Sequence, residues 1–285
     1  MLHPTGLPSM LSDLDRTLVM GVLNVTPDSF SDGGLFEETQ DAIAHGRYMA
    51  ANGADIVDVG GESTRPGSDR ISQDEELSRV IPVIEALTGD GIIVSVDTMR
   101  SEVARASIAA GAALVNDISG GKADSDMLPF VATTEVPFIL MHWRGHSDVM
   151  TQLTNYTNVS ADVVREIAEQ VDNAVRSGIA RDRIVIDPGI GFAKTTQQNW
   201  PLIQDLEVID ELELPVLWGV SRKKFLGELL ADSNGEFREM AGREAATTAL
   251  TTYLALAGAW AVRVHDVQSS RDAIEVVERL GRDHA

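Results

Sequence analysis

Residues 92–117 read "IIVSVDTMRSEVARASIAAGAALVND" and contain a strand, a helix and the next strand of the architecture that we expect for the whole chain. A short run rich in Ile and Val ends at Asp97, and a second apolar run closes the stretch. The helical segment between them has Ser101 as its expected N-cap and ends at Gly111, a residue type common just after helices. This order is typical of parallel strands joined by helices.

The same alternation extends from residue 17 to residue 285. "SQDEELSRVIPVIEAL" illustrates it, because Ser72 and Glu75 have capping-box spacing and the apolar residues after them lie on one helical face. The apolar runs of strand character are LVMGVLN, DIVDVG, IIVSVD, ALVND, PFILMH, RIVID, PVLWGVS and AVRVH. Eight strands that are each followed by a helix predict an α/β protein, a closed (β/α)8 TIM barrel in a single domain.

A doubly wound open sheet is the alternative architecture. It is disfavoured because the segment after the first strand, "NVTPDSFSDGG", lacks the glycine spacing of a nucleotide-binding turn. That segment is instead rich in polar turn formers, which a surface loop alone would explain. Whether this segment has a functional role depends on whether the other strands also end on polar residues.

The composition excludes several classes of protein. A formal net charge of -21, from 23 basic and 44 acidic residues, repels polyanions, so nucleic acid is not expected as a partner. The absence of cysteine excludes disulfides, thiolate metal sites and a cysteine nucleophile. No apolar stretch reaches membrane-spanning length and no signal peptide is evident, so we expect a cytoplasmic protein without membrane contact. Residues 1–16 are expected to form a flexible N-terminal extension.

Two helical segments near the C-terminus have different surfaces. The apolar stripe of the last segment consists of Ala273, Ile274, Val277 and Leu280. The stretch from Met240 to Trp260 is less polar than an outer helix that faces only water. Part of it is therefore expected to contact another subunit.

Seven of the eight predicted strands are singled out because they end on, or lead directly into, polar residues that can bind a ligand. Those residues are Asn24, Asp58, Asp97, Asn116, Asp187, Ser221 with Lys223, and Arg263 with His265. In a closed barrel these ends converge on one mouth, where so many buried polar groups would be costly without a ligand or metal to satisfy them. Taken singly, Asp97 or Asn116 is equally well explained by a hydrogen bond to a neighbouring turn.

The residue types indicate the chemistry of the ligand. Asp97, Asn116 and Asp187 combine acceptors and donors, as needed to bind the mixed edge of a flat heterocycle. The cations at strand ends of this acidic chain are Arg65, Lys223, Arg263 and His265. Their clustering suggests a bound anion such as a phosphate, and Asn24 offers a hard oxygen that suits Mg²⁺.

Three features near the predicted strand ends also fit a second interpretation. Lys223 could form a Schiff base, although it follows its strand rather than lying within it. His265 could be a core histidine bonded to Asp266. The glycines of "DPGIGF" could cradle a phosphate, but close packing at the barrel rim explains them more simply.

Seven stretches of the chain resemble the motifs of dihydropteroate synthases. They are MGVLNVTPDSFSDGG, DVGGESTRPG, VSVDTMR, NDISGG, DPGIGFAK, GVSRKKFLG and RVHDV, in the order of that family from about Thr17 onward. The resemblance implies a (β/α)8 barrel, usually a homodimer, that joins 6-hydroxymethyl-7,8-dihydropterin pyrophosphate to 4-aminobenzoate in folate synthesis. It also implies that sulfonamides, which mimic 4-aminobenzoate, inhibit the reaction.

The resemblance further implies roles for individual residues. The residues expected to hold the pterin ring are Asp97, Asn116, Asp187 and Lys223, with Asp58 in support. The residues expected to bind pyrophosphate are Thr64, Arg263 and His265. Asn24 would bind Mg²⁺.

The second substrate would meet two loops. Asp32 would approach Arg65 and the incoming amine, and Lys223 completes the expected catalytic set. The residues expected around 4-aminobenzoate are Phe30, Arg65, Pro66, Phe192, Ser221 and Lys224. Position 224 departs from the family pattern, because many members have a serine there that meets the aminobenzoate carboxylate. Backbone N–H groups of the following helix or the Lys224 ammonium would take its place.

Two further functions fit part of the pattern. A pterin-binding methyltransferase domain would share the barrel and the ring contacts, but it does not need the Thr-Pro-Asp-Ser-Phe loop or the pyrophosphate cations. A non-catalytic paralogue would bind pterin pyrophosphate without turnover. The presence of the full set Asn24, Asp32, Arg65, Lys223 and His265 argues against it.

Overall fold

The computed structural model describes residues 2–26, 34–63, 70–146 and 149–282, apart from the side chains of 34–37 and 282. The strands are β1 (Leu18–Asn24), β2 (Ile56–Gly60), β3 (Val94–Asp97), β4 (Leu114–Asp117), β5 (Phe138–Met141), β6 (Ile184–Asp187), β7 (Leu217–Trp218) and β8 (Ala261–Val264). They pair in parallel in the order β6-β5-β4-β3-β2-β1-β8-β7. A bridge between Ile186 and Val216 joins the two ends of this sheet. The predicted (β/α)8 barrel is confirmed.

Helices cover the outside of the barrel. They are α1 (Ser9–Ser12), α2 (Gly34–Ala51), α3 (Gln73–Gly89), α4 (Ser101–Ala109), α5 (Met127–Ala132), α6 (Val159–Arg176), α7 (Asn199–Gln204), α8 (Leu206–Asp210), α9 (Lys224–Leu229), α10 (Glu244–Leu256) and α11 (Val267–Arg282). Short 3₁₀ turns lie at Met150–Gln152, Arg181–Arg183 and Met240–Arg243.

The capping signals predicted from the sequence are only partly confirmed. Ser72 caps α3 as expected, since its hydroxyl accepts a hydrogen bond from the backbone N–H of Glu75. Ser101 is wrong as a cap, because it is the first helical residue of α4 and its own N–H needs an acceptor. Asp124 supplies that acceptor from a distant loop at 2.7 Å, a contact that local sequence does not reveal. Gly111 ends the α4 segment with φ of 105°, as predicted.

The strands point alternate residues into the barrel, and this alternation builds a layered interior. The lower layer is apolar and consists of Leu18, Met20, Ile56, Leu114, Ile139, Val185, Leu217 and Ala261. Two residues further along the same strands, the inward positions become polar, as at Asp58, Asn116 and Asp187. The fold thus places a polar layer above the lower apolar layer, toward the carboxyl ends of the strands.

Strand β7 is shorter than the run "PVLWGVS" predicts. Its ladder to β8 contains only the pairs Leu217–Ala261 and Trp218–Val262. The chain then turns sharply, and Arg222 adopts a left-handed backbone with φ of 59°. This turn leads directly to Lys223.

Residues 2–16 pack against the amino-terminal end of the barrel, where Leu7 and Leu11 are buried in the lower apolar layer. The Arg16 guanidinium also pairs with the Asp55 carboxylate through two bonds of 2.6 and 2.7 Å. These contacts hold the segment against the bottom of the barrel, which its spaced leucines close.

Helices α10 and α11 pack together and leave apolar side chains exposed. Those side chains are Tyr253, Leu256, Val276 and Leu280. Leu280 is exposed within this chain, whereas Ile274 on the same predicted stripe is buried. Among the described helices, none combines the length and apolar character that crossing a membrane requires.

Candidate active site at the mouth of the barrel

Strand pairing brings the predicted site residues to one level. Asp97 lies beside Asn116 in the register of β3 and β4, and Gly60 lies beside Asp97 on the other side. On the opposite part of the barrel, Asp187 pairs with Met141. The inward polar positions thus converge at the carboxyl end of the barrel, as the sequence predicted.

Arg263 connects two of the acidic residues. Its Nε donates to Asp58 Oδ2 and its Nη2 donates to Asp97 Oδ2, both at 2.6 Å. Asn116 Nδ2 donates to the same oxygen of Asp58 at 2.9 Å. Burial acts to lower the pKa of Arg263, but the negative charges of Asp58 and Asp97 outweigh it and raise that pKa above its usual range, so Arg263 stays protonated. Arg263 therefore links strands β2, β3 and β8 beneath the mouth.

The carboxylates of this site are buried and retain acceptor capacity. Burial raises the pKa of both Asp97 and Asp187, and the neighbouring cations Arg263 and Lys223 oppose that rise. Asp187 Oδ1 accepts a bond from the N–H of Gly189 at 2.7 Å. Asp58 Oδ1 is buried and has no hydrogen-bond partner in the described part of the chain. A ligand with N–H donors would satisfy these oxygens.

Lys223 lies at the N-cap position of α9, close enough to Asp187 for their charges to interact. Its ammonium nitrogen lies 4.1 Å from the centre of the Phe192 ring. Burial lowers the pKa of Lys223 to about 8, and the Asp187 carboxylate opposes this shift. A cation on an aromatic face beside a buried carboxylate forms one wall of the site.

An apolar wall, of which we predicted only Phe192, stands beside the polar layer. Met99, Ile118 and Met141 form a buried cluster, against which Trp143 and Phe192 pack. A sequence signal for two of these residues exists, because Met99 and Ile118 follow Asp97 and Asn116 by two positions. A polar edge beside an apolar wall suits a flat heterocycle with hydrogen-bonding groups on its rim.

Ser221 positions His265. The Ser221 hydroxyl lies 2.9 Å from His265 Nδ1 and accepts the backbone N–H of His265 at 3.2 Å. Asp266, the alternative partner considered for this histidine, accepts bonds from the backbone N–H and hydroxyl of Ser269 at the start of α11. The serine therefore orients the imidazole from the neighbouring strand end.

Helix α10 holds the turn between Ser221 and Lys223. The Arg222 N–H donates to Thr247 Oγ1 at 3.3 Å, and Arg243 Nη1 donates to the Arg222 carbonyl at 2.8 Å. The Arg222 guanidinium pairs with the Glu244 carboxylate. These contacts stabilise the left-handed residue that directs its two neighbours. Lys224 is exposed and lies near the Phe237 ring, with its Nζ 5.7 Å from the ring centre.

Asn24 ends β1 at the mouth and is half-buried beside Gly60 of β2. Among the described residues, no group of three or more His, Asp or Glu side chains is arranged to hold a metal. A half-buried carboxamide at the mouth fits the habit of Mg²⁺, which takes few protein ligands and completes its shell with water and phosphate oxygens.

Five predicted site residues lie outside the described residues. They are Phe30, Asp32, Thr64, Arg65 and Pro66. The segment with the last three begins after Ser63, and Glu62 and Ile71 flank it. Arg100 bonds both flanks, through the Glu62 carboxylate at 2.8 Å and the Ile71 carbonyl at 2.5 Å.

Comparison with known proteins agrees with this geometry. The family model described as "Pterin binding enzyme" matches residues 20–265. A dihydropteroate synthase of Mycobacterium leprae (strain TN) is 51% identical over 260 residues, which are 91% of this chain and 92% of that protein. The Bacillus subtilis (strain 168) dihydropteroate synthase is 45% identical over 262 residues, covering 92% of this chain and 87% of the relative.

Solved structures show the same similarity. The Xanthomonas albilineans dihydropteroate synthase with 4-aminobenzoic acid has a TM-score of 0.86 and 43% identity, covering 94% of each chain. The Yersinia pestis enzyme in a sulfonamide drug complex has a TM-score of 0.86 and 39% identity, covering 94% of this chain and 95% of the other. The chain belongs to the pterin-binding enzyme family and, within it, to the dihydropteroate synthases.

Proposed function

We propose that this protein joins 6-hydroxymethyl-7,8-dihydropterin pyrophosphate to 4-aminobenzoate, giving 7,8-dihydropteroate and pyrophosphate in folate biosynthesis. The observation that carries the proposal is the layered mouth, where Asp97, Asn116 and Asp187 present a hydrogen-bonding edge beside an apolar wall. A structure similar to this chain, from Xanthomonas albilineans, is a complex with 7,8-dihydropteroate, at 41% identity and a TM-score of 0.83.

The pterin ring would lie between the acidic edge and the apolar wall. Asp187 and Asp97 accept ring N–H groups, and Asn116 Nδ2 already holds Asp58 in place at 2.9 Å. Lys223 contributes a donor near Asp187. Burial of these carboxylates costs free energy, because they lose hydrogen bonds to water. Each ring N–H group that bonds to one of them offsets part of that cost.

The pyrophosphate would lie toward Arg263 and His265. Arg263 uses Nε and Nη2 for the two aspartates, and its Nη1 makes no bond to the described residues. His265 is fixed through Nδ1 by Ser221, which directs Nε2 away from that serine. When bound at Asn24, Mg²⁺ would neutralise charge on the leaving pyrophosphate.

The chemistry is substitution at the methylene carbon that bears the pyrophosphate. The aromatic amine is a weak nucleophile, so stabilisation of the departing anion must dominate. We infer a dissociative transition state in which the pterin carries developing positive charge, and Asp97 and Asp187 favour that charge. The sequence segments that contain Asp32 and Arg65 would exclude water and supply these two residues to the amine. A kinetic isotope effect at the methylene carbon typical of a tight displacement would contradict this mechanism.

The test is formation of 7,8-dihydropteroate by the purified protein, measured by chromatography with Mg²⁺ and after chelation. Turnover that requires Mg²⁺ supports the proposal, and inhibition by a sulfonamide that competes with 4-aminobenzoate supports its second substrate. Tight binding of pterin pyrophosphate without product would instead indicate a non-catalytic paralogue. If an Asp187→Asn variant formed product at the wild-type rate, the proposed role of Asp187 in binding the pterin ring would be refuted.

We further propose that the protein is a homodimer through the exposed face of α10 and α11. The face carries Tyr253, Leu256, Val276 and Leu280, each more than two-fifths exposed. A cluster of large apolar side chains on two adjacent helices is costly in water unless another surface covers it. A second copy of this chain offers the same apolar face in a two-fold arrangement.

A further inference from the structure

The segment that follows β6 has an unusual backbone. Gly189 and Gly191 have φ of 69° and 80°, and Ala193 has φ of 47°. Alanine in the left-handed region costs about 1 kcal/mol, so this conformation persists only where surrounding groups hold it. The last residue of the stretch "DPGIGFAK", Lys194, has no role in the site described above.

Lys194 holds this segment from inside. Although it is a lysine, it is buried, with 9% of its surface exposed. Its ammonium nitrogen donates to the carbonyls of Gly189 at 2.9 Å and Phe192 at 3.1 Å, and it lies 3.1 Å from His142 Nδ1. Burial lowers the pKa of Lys194 to about 7, and in the protonated form these contacts use all three N–H donors of the ammonium group. A single side chain thus ties two peptides of the segment to the residue that follows strand β5.

A second set of side chains fixes the support itself. His142 is fully buried, and burial together with Lys194 lowers its pKa to about 3, so its ring is neutral. The neutral ring accepts from Lys194 through Nδ1 and donates through Nε2 to the Glu166 carboxylate at 3.0 Å. Glu166 is held in turn by Arg144 at 2.5 Å. The acceptor that faces Lys194 is therefore rigidly oriented.

Two further bonds complete the attachment of the segment. The Tyr156 hydroxyl donates to the Ala193 carbonyl at 3.0 Å, and Asn199 Oδ1 accepts the Gly191 N–H at 2.7 Å. Together with the bonds from Lys194, they engage a backbone group at four of the five residues from 189 to 193. The segment is specified in detail by buried polar groups, which is unusual for a connection that only joins a strand to a helix.

This segment forms the surface on which Lys223 rests. The Phe192 ring lies 4.1 Å from Lys223 Nζ. A Cβ atom at Gly191 would lie 3.0 Å from Lys223 Cδ, so the backbone there packs closely along the lysine stem. A shift of the 189–193 backbone would therefore move both the aromatic wall and the ammonium group above it.

We propose that Lys194 is a positioning residue for the pterin and aminobenzoate sites, and that it acts by fixing Phe192 and, through it, the ammonium group of Lys223. Lys194 itself does not touch substrate. The inference rests on the proposed function for the identity of the ligands. It states that the positions of Lys194, Phe192 and Lys223 depend on one another.

The test is a double-mutant cycle with Lys194→Met and Phe192→Leu, in which calorimetry measures the affinity for pterin pyrophosphate. Methionine keeps the apolar length of the side chain and removes its donors. We expect Lys194→Met to weaken binding about tenfold, and the double variant to lose less than the product of the two single losses. Arg183→Met is the matched control, because Arg183 is also a buried cation that donates to backbone carbonyls, those of Val131 and Val136, but at the amino-terminal end of the barrel.

Wild-type affinity in Lys194→Met, or losses that multiply without coupling, would overturn the proposal. If Lys194→Met does not fold, Tyr156→Phe decides the question, since it removes one hydroxyl bond to the same segment. A loss in Tyr156→Phe that is coupled to Phe192→Leu supports the proposal, and no loss overturns it. Because binding is the readout, a wild-type protein that binds pterin pyrophosphate without forming product refutes the proposed function and leaves this test intact.

Discussion

Replacing Asp97 by asparagine removes one charge from the mouth of the barrel while preserving the shape of the side chain. Asp97 Oδ2 accepts Arg263 Nη2 at 2.6 Å, and the carboxylate is almost fully buried. Hydrogen bonds to charged groups contribute about 1.5–3 kcal/mol. With tenfold in affinity for every 1.4 kcal/mol, pterin pyrophosphate should bind roughly 10- to 100-fold more weakly.

The structure separates two ways in which this loss could arise. In Asp97→Asn, Arg263 still bonds Asp58 at 2.6 Å, so its guanidinium should stay in place. Calorimetry with pterin pyrophosphate and with inorganic pyrophosphate then distinguishes the loss of a contact to the ring from a displacement of Arg263. If Asp97 binds the ring, only the pterin ligand loses affinity, whereas a loss for both ligands would show that Arg263 has moved.

Asp117→Asn is the matched control for this experiment. Asp117 is buried on the adjacent strand, but it follows the inward-facing Asn116 and bonds Ser119 and Gly121 in its own turn. The same substitution there should lower the melting temperature and leave the affinity of the folded protein for pterin pyrophosphate unchanged. Unchanged affinity in Asp97→Asn would refute our placement of the pterin ring.

Three further outcomes are expected. Asp32→Ala should lower kcat by about 100-fold and change the affinity for pterin pyrophosphate far less, and equal losses in calorimetry and steady-state kinetics would contradict its placement at the amine. Burial raises the pKa of Asp97 to about 7, so lowering the pH from about 8 to about 6 protonates it and should weaken pterin binding. In Asp97→Asn, the affinity measured by calorimetry should change less with pH. Leu256→Glu should convert the homodimer to a monomer in light scattering, whereas Val175→Glu, which changes an exposed valine on α6, should not; a dimer in both would exclude the α10–α11 face.

The polar layer of the mouth was predictable because it follows from the period of a strand. Asp58, Asn116 and Asp187 are each two residues beyond an inward apolar residue, and the register of parallel strands brings them to one level. Met99 and Ile118 follow the same period, because they lie two residues beyond Asp97 and Asn116. The sequence did not distinguish these two from ordinary core residues, because an apolar side chain after a buried strand needs no ligand to explain it.

Contacts between distant segments were not predictable. Asp124 caps α4 from 23 residues away, and Lys194 meets His142 across 52 residues. Neither pair has a local spacing that indicates contact, because the geometry is set by the closure of the barrel. The exposure of Leu280 was not predictable for a related reason, since a helical stripe specifies which residues share a face but not whether this chain or a partner covers that face.

The mouth of the barrel is arranged for a ligand rather than for stability. Arg263 compensates Asp58 and Asp97 only in part, because Asp58 Oδ1 is buried without a partner among the described residues. A buried acceptor left without a donor costs about 1–3 kcal/mol. An apolar residue at position 58 would avoid that cost, but it would release Arg263 and Asn116 from the positions in which they face the ligand. The retained carboxylate therefore keeps the donors oriented before binding, and a pterin ring that satisfies the site recovers part of the cost as affinity.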